Sequence, residues 1–292
     1  MAFELGLLGF PLGHSLSPAL HQAALQALGL EGRYRLFPIS PMPEGETGLR
    51  EAIDALRAGR LHGLNVTIPH KQAVIPWMDA LSPVAREVGA VNTLIYKDGR
   101  LLGENTDVPG FLADLLALGV DPAHGGRAIV MGAGGSARAV VYALARSGWQ
   151  VTLAARRQDA VLRFSQWEFK PIPLTAQALE PITTGCRLIV NTTPVGMVPN
   201  SAFSPWPGDL PYPAGAIVYD LVYNPVVTRL VSQAREAGLV AHTGLGMLVE
   251  QAALSFGHWV GQAPPKEAMR QSAERELALR TASLSMRKTG QA

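Results

Sequence analysis

The chain is poor in cysteine, in charge and in long apolar runs, and each shortage removes a class of function. A single cysteine, Cys186, stands among 292 residues. It excludes an intramolecular disulfide and a cysteine-rich zinc site. Charged residues make up 16% of the chain, and 25 Lys and Arg against 23 Asp and Glu leave a formal net charge of +2. That balance gives no general attraction to nucleic acid or to an anionic membrane, although it permits a local basic site for a phosphate. No stretch reaches the roughly 18 uninterrupted apolar residues of a membrane-spanning helix. The opening MAFELGLLGF lacks a basic segment and runs straight into a strand pattern, unlike a signal peptide. The expectation is a cytoplasmic enzyme, monomeric or homodimeric, that acts on a small molecule and has no nucleic-acid or membrane partner.

What is abundant points to an α/β protein. Hydrophobic residues at 48% supply enough material for two cores, and 30 Gly with 22 Pro suit many tight turns. Strand-like runs at Phe3–Gly9, Arg33–Ile39, Gly63–Ile68 and Val91–Tyr96 alternate with amphipathic segments near Pro18–Leu28 and Glu46–Ala58. This is the pattern of βαβ units in a mostly parallel sheet. A second series follows, with strands at Arg127–Gly132, Val151–Ala155, Arg187–Asn191 and Ile217–Asp220 and helices at Ser136–Ser147 and Val226–Ala237. Asp107–Gly119 reads as a helix joining two domains, and the apolar Gly244–Val260 as a helix returning to the first. Residues 1–106 with 244–292 then form one domain and 107–243 the other. After Ala263 the sequence predicts a charged surface helix and a loose end at Lys288–Ala292.

The segment from Ile129 to Ala139 carries Gly132, Gly134, Gly135 and Ala137 between a predicted strand and a predicted helix. It matches G-x-G-x-x-A. The first glycine permits the tight turn, the second lets the backbone approach a pyrophosphate, and the small third residue lets helix pack on strand. The helix start offers free N–H groups and partial positive charge to the phosphates. A tight turn without a ligand would explain the glycines but not their strand-helix setting. The next strand ends Ala155-Arg156-Arg157, where NAD sites usually place a carboxylate for the ribose 2′-hydroxyl. Two guanidinium groups at that place suit a 2′-phosphate, which favours NADP. The alternative is that both arginines are solvated surface charges, and Asp159 keeps NAD open.

An alcohol that loses hydride must also lose a proton. A zinc ion would need ligands that one cysteine and scattered histidines do not supply. The Tyr-x-x-x-Lys pair of short-chain reductases is absent, since Tyr142 is followed by Arg146 at that spacing. The proton handler is therefore sought in the first domain.

Three clusters stand there. Gly9-Phe-Pro-Leu-Gly-His14-Ser15-Leu-Ser17-Pro18 puts two hydroxyls beside a helix start. Ser17 before Pro18 reads as an ordinary N-cap, but that leaves Ser15 unexplained. Two hydroxyls at a helix N-terminus suit a carboxylate. Asn65-Val-Thr67-Ile-Pro69-His70-Lys71 lies at the end of a strand, the edge at which open α/β sheets bind ligands. A lone lysine is usually a solvated charge, and the surrounding pattern singles this one out. Asn92-Thr93 and Asn105-Thr106-Asp107 lie near the predicted domain boundary.

These clusters, in this order and ahead of a G-A-G-G-x-x-R-A turn, resemble those of the shikimate dehydrogenase family. The later Asn191-Thr-Thr-Pro-Val-Gly196-Met197, Asp220-Leu-Val-Tyr223-Asn-Pro225 and Gly246-Met247-Leu-Val-Glu-Gln251 agree, and the resemblance runs from about Leu5 to Gly261. It implies two α/β domains, one for substrate and one of Rossmann type for NADP, and reversible reduction of 3-dehydroshikimate to shikimate in chorismate biosynthesis. It further implies Lys71 and Asp107 as the catalytic pair. Ser15 and Ser17 would take the carboxylate, and Thr67, Asn92 and Gln251 the ring hydroxyls, with Tyr223 nearby. Gly132, Gly134, Gly135 and Ala137 would take the pyrophosphate, Arg156 the 2′-phosphate, and Thr192 and Met197 the cofactor side. Arg157 is a further candidate. The NADP-type strand of the family often ends Asn-Arg-Thr, so Ala155-Arg156-Arg157 keeps the arginine that matches the phosphate binder and departs from the family on both sides of it. The alternatives are a quinate or dual-specificity enzyme using NAD, a ligand-binding regulator on the same fold, and a dinucleotide protein with another substrate. Serine at the place of Ser17 accompanies shikimate in the family, and the presence of both Lys71 and Asp107 argues against the regulator.

Overall fold

The computed structural model describes residues 2–156 and 171–289, with side chains to 282. The protein is mixed α/β and divides into two compact units. One comprises the residues up to Gly110 and those from Leu248 on, and the other Phe111–Met247.

The first unit runs β1 (Phe3–Gly9), α1 (Ser17–Ala27), β2 (Gly32–Pro38), α2 (Glu46–Arg57), β3 (Gly63–Val66), β4 (Ala80–Leu81), α3 (Pro83–Val88), β5 (Thr93–Lys97) and β6 (Arg100–Glu104). Its sheet has the order β2-β1-β3-β5-β6-β4. Leu49, Ile53 and Leu56 recur along one face of α2 and are buried in the core with Leu8, Leu64 and Leu94. Each such side chain contributes about 1.5–3 kcal/mol by leaving water. β1 pairs in parallel with β2 on one side and β3 on the other. The loops that leave β1 and β3 therefore diverge at a topological switch, the place where open sheets bind ligands.

The sheet keeps the expected parallel pairs, β1 with β2 and β3, and β4 with β6, and adds antiparallel ones. β5 is antiparallel to β3 and forms an antiparallel hairpin with β6. Its turn is Asp98-Gly99, and both residues have positive φ, 51° and 73°. Two such residues match the twist of a two-residue hairpin, and Asp-Gly is among the sequences that adopt it readily. The dipeptide was the signal for a hairpin that hydrophobic alternation alone did not reveal.

After α4 (Asp107–Ala117) the second unit contains β7 (Gly126–Met131), α5 (Gly135–Arg146), β8 (Trp149–Ala155), β9 (Ile172–Pro173), α6 (Ala176–Thr183), β10 (Cys186–Asn191), β11 (Ile217–Asp220), α7 (Arg229–Glu236) and β12 (Val240–Thr243). All its strand pairs are parallel, in the order β12-β11-β10-β7-β8-β9. Counted from β7, this is the 3-2-1-4-5-6 order of the Rossmann fold. Its core is formed by Ile129, Met131, Ile189, Val218, Leu230 and Val231, all nearly or fully inaccessible. α7 starts three residues later than the expected Val226, because Thr228 caps it by accepting from the Val231 N–H. Val226 and Val227 stay exposed ahead of that cap.

α8 (Leu245–Val260) carries the chain back to the first unit, and α9 (Lys266–Thr289) follows. α9 keeps Lys288 and Thr289 helical, where a loose end was expected. Met269, Ala273 and Leu277 form its buried stripe, and Ser272 Oγ donates to the Ala19 carbonyl of α1 at 3.0 Å. Among the described residues no helix is long and apolar enough to cross a membrane.

Candidate active site

In the first unit the polar residues singled out from the sequence gather around one buried ion pair. The turn that follows β3 carries Thr67 and Lys71, and α4 begins at Asp107. Lys71 Nζ lies 2.6 Å from Asp107 Oδ2, with the two side chains 10% and 6% exposed. An ion pair this close and this shielded is screened far less than one on the surface. The other carboxylate oxygen of Asp107 accepts from Asn92 Nδ2 at 3.0 Å. The same amide nitrogen lies 2.9 Å from Thr106 Oγ1 and 3.4 Å from Gln251 Oε1. Asn92 Oδ1 in turn accepts from the Thr106 N–H at 2.8 Å. Lys71, Asp107, Asn92 and Gln251 thus form one connected cluster.

Behind it lies a further layer of polar side chains that sequence reasoning did not assign. Asn65 Nδ2 donates to Ser255 Oγ at 2.9 Å, and Tyr34 Oη donates to Asn65 Oδ1 at 2.8 Å. Ser255 Oγ is also 2.8 Å from Thr93 Oγ1 and 3.1 Å from Thr106 Oγ1. Buried hydroxyls and amides persist only when paired, so this web fixes the amide of Asn92 against Asp107. Two signals were available. Asn65 interrupts an otherwise apolar strand whose residues are all buried, and Ser255 follows Gln251 by four residues on an apolar helix. His21 stacks on Tyr34 with ring centroids 4.3 Å apart. Both its ring nitrogens are buried without a hydrogen-bond partner among the described residues. Burial pushes its pKa down to about 3, an effect only partly opposed by the nearby Asn65 side chain.

The helix start beside these groups differs from the expectation. Ser17 is the first residue of α1, and Leu16 occupies the cap position with no side-chain cap bond. Ser15 does the local work instead, its Oγ accepting from the Ser17 N–H at 3.2 Å. Ser17 is buried and Ser15 half-buried. Thr67 sits against Gly9, where a β-carbon would collide with Thr67 Cγ2. Glycine at position 9 is what lets the strand ends of β1 and β3 close together.

In the second unit the glycine turn leaves β7 at the switch between β7 and β10. Gly132 has φ 121°, and a β-carbon there would collide with Thr192 Oγ1. Thr192 donates that hydroxyl to the Met131 carbonyl at 2.6 Å, tying the end of β10 to the end of β7. Gly134 is extended, exposed and has open space over its Cα. α5 starts at Gly135 with no side-chain cap, and a helix start of this kind suits an anion through its backbone N–H groups. Ala137 is fully buried where helix meets strand. These features fit a dinucleotide pyrophosphate. Met197 is half-buried in the loop after β10, and Arg156 is exposed at the end of β8. Arg157 lies outside the described residues. Tyr223 is half-buried in the second unit, after β11, and so belongs to a different unit from the other substrate candidates.

The loop after β10 is anchored by a buried carboxylate. Asp220 Oδ1 accepts from Asn191 Nδ2 at 2.8 Å and from the Val222 N–H at 3.0 Å, and Oδ2 accepts from Thr228 Oγ1 at 2.6 Å. Burial pushes its pKa up to about 6 against these bonds. Asn191 Oδ1 then holds the N–H and hydroxyl of Thr193. This explains the Asn191-Thr-Thr and Asp220 motifs as supports of the loop that reaches Met197.

Comparison with known proteins agrees with this architecture. The family description "Shikimate dehydrogenase substrate binding domain" matches residues 7–94, and "Shikimate 5'-dehydrogenase C-terminal domain" matches residues 244–274. The shikimate dehydrogenase (NADP(+)) of Symbiobacterium thermophilum is 42% identical over 278 residues, covering 92% of each chain. That of Thermus thermophilus is 43% identical over 276 residues, covering 94% of this chain and 98% of its own. A crystal structure of shikimate 5-dehydrogenase from Thermus thermophilus in complex with NADP(H) and shikimate superposes with a TM-score of 0.79 at 39% identity. It covers 94% of this chain and 99% of that one. With this identity sustained over nearly the whole length of both partners, and a mixed sheet followed by a Rossmann sheet, the chain belongs to the shikimate dehydrogenase family.

Proposed function

We propose that this chain catalyses the reversible NADP-dependent reduction of 3-dehydroshikimate to shikimate, with the acid held by the first unit and the dinucleotide by the second. The observation that carries the reading is the buried contact between Lys71 Nζ and Asp107 Oδ2. When bound, NADP(H) supplies or accepts the hydride. The residues of the chain bind, orient and move the proton. Lys71 delivers a proton to the carbonyl oxygen during reduction and takes it back during oxidation. Asp107 holds the ammonium in place through Oδ2, while Asn92 holds Asp107 through Oδ1. Asn92, Gln251 and Thr67 bond the ring hydroxyls and so fix which carbon reacts. Ser15 and Ser17 receive the carboxylate at the start of α1, where backbone dipoles favour an anion. Tyr223 contributes to substrate binding. Gly132, Gly134, Gly135 and Ala137 take the pyrophosphate, Thr192 and Met197 border the cofactor, and Arg156 pairs with the 2′-phosphate, with Arg157 as a second cation.

The test is an initial-rate comparison that crosses shikimate and quinate with NADP and NAD, following the reduced cofactor by absorbance. The expected result is shikimate with NADP as the fastest pair, ahead of every other combination by about tenfold or more, the scale of one charge-assisted bond pair gained or lost. Faster turnover of quinate with NAD would replace the reading with a quinate enzyme. Binding of shikimate without turnover under any combination would replace it with a regulator.

A further inference from the structure

The last helix reaches back to the loop that carries Ser15. α9 packs on α1 and buries Met269, Ala273 and Leu277, and Ser272 Oγ donates to the Ala19 carbonyl. Arg280 lies three residues past Leu277, on the same side of the helix. Its Nη2 donates to the Ser15 carbonyl at 3.1 Å, and its Nε donates to Glu276 Oε1 at 2.8 Å. Nη1 is buried and has no hydrogen-bond partner among the described residues. The guanidinium thus sits within a few residues of the amino-terminal end of α1. That end already carries partial positive charge, and a cation beside it is unfavourable unless an anion is shared. Glu276 neutralises part of the charge, and among the described residues Nη1 is left without an acceptor. Lys71, a buried cation of the same unit, is paired with Asp107, whereas the Arg280 side chain stays 28% exposed.

We infer that Arg280 is a positioning residue for the substrate carboxylate: it fixes the Ser15 peptide and adds positive charge to the pocket formed by Ser15, Ser17 and the start of α1. This rests on the reading of Ser15 and Ser17 given under the proposed function. Through Nη2 it holds the carbonyl of the residue whose Oγ orders the Ser17 N–H. Loss of the guanidinium therefore weakens substrate binding in ground state and transition state alike, which raises KM and spares kcat.

The experiment measures oxidation of shikimate and of its methyl ester by the parent, Arg280→Met, Arg280→Lys and Ser272→Ala, with melting temperatures recorded alongside. For Arg280→Met the expected result is a rise of about tenfold in KM for shikimate, with kcat and KM for NADP within about twofold of the parent. The preference for shikimate over the uncharged ester shrinks by a similar factor. Arg280→Lys restores part of the loss, because it keeps the charge without the fork. Ser272→Ala, which perturbs the same helix contact without touching Arg280, leaves KM unchanged. An unchanged KM for shikimate in Arg280→Met overturns the inference, as does an equal rise for acid and ester. If Arg280→Met does not fold, Arg280→Lys decides by the same acid-against-ester comparison. A parent that turns over shikimate while the variants match it refutes Arg280 alone. A parent without shikimate turnover refutes the proposed function, and this inference with it.

Discussion

In the first unit the groups assigned to the acid are long polar side chains locked into a buried web, whereas in the second the groups assigned to the dinucleotide are mostly backbone and small residues at a strand switch. Lys71, Asp107, Asn92 and Gln251 are held by one another and by Asn65, Thr106 and Ser255. Gly132, Gly134 and Ala137 act through the space they leave. The contrast follows from the tasks. Proton transfer needs a titratable group at a fixed place, and a ring with several hydroxyls needs directional partners. A pyrophosphate needs N–H groups that can be approached closely. The units also bury titrating groups of opposite effect, His21 in one and Asp220 in the other.

The largest expected effect tests the claim that close backbone approach holds the second unit. In that unit a β-carbon on Gly246 would run into Asp114 Oδ1. Asp114 is buried and accepts a short hydrogen bond from the Tyr219 hydroxyl, so it has little room to yield. Gly246→Ala is expected to destabilise the protein by about 3 kcal/mol, combining overpacking with a strained buried bond. Urea denaturation measures it, and a change below about 0.5 kcal/mol, the scale of an ordinary surface substitution, would mean that the helix adjusts freely.

A smaller effect separates the units by pH. The folded pKa of His21 is near 3, against 6.5 for an ordinary histidine, so below pH 6.5 the unfolded chain binds a proton that the folded chain refuses. Stability is then lost as pH falls from 6.5 toward 3, by about 2 kcal/mol between pH 7.5 and pH 5. Asp220 has the opposite sign. Its folded pKa near 6 lies above the ordinary 3.8, so the folded chain takes up a proton first and gains stability as pH falls from 6 toward 3.8. The gain is about 1 kcal/mol over the same interval. Compared with the parent, His21→Phe should lose less stability on acidification and Asp220→Asn should lose more. Denaturation curves at the two pH values decide this, and identical pH dependence in all three proteins would refute both assignments.

The same contrast explains what could be read from sequence. The glycine turn was legible because its residues are neighbours in the chain and their order is tied to one local shape. The cluster of Lys71, Asp107, Asn92 and Gln251 had its members named through resemblance, yet its support was not visible. Asn65 and Ser255 stand 190 residues apart, and nothing in either segment announces the other. Ser17 looked like a cap because Pro18 follows it, but the chain enters α1 one residue earlier and Ser15 takes the backbone N–H. The hairpin at Asp98-Gly99 was written in a dipeptide that the alternation of apolar residues obscured.

The central claim is that an ammonium and a carboxylate of the first unit handle the proton of the reacting hydroxyl. Turnover of shikimate by Lys71→Ala, measured with shikimate binding to the same preparation, tests it most directly. The account predicts a fall in kcat of at least about 100-fold with the dissociation constant for shikimate little changed. Near-parental kcat would remove Lys71 from the chemistry and leave its contact with Asp107 as a buried structural ion pair.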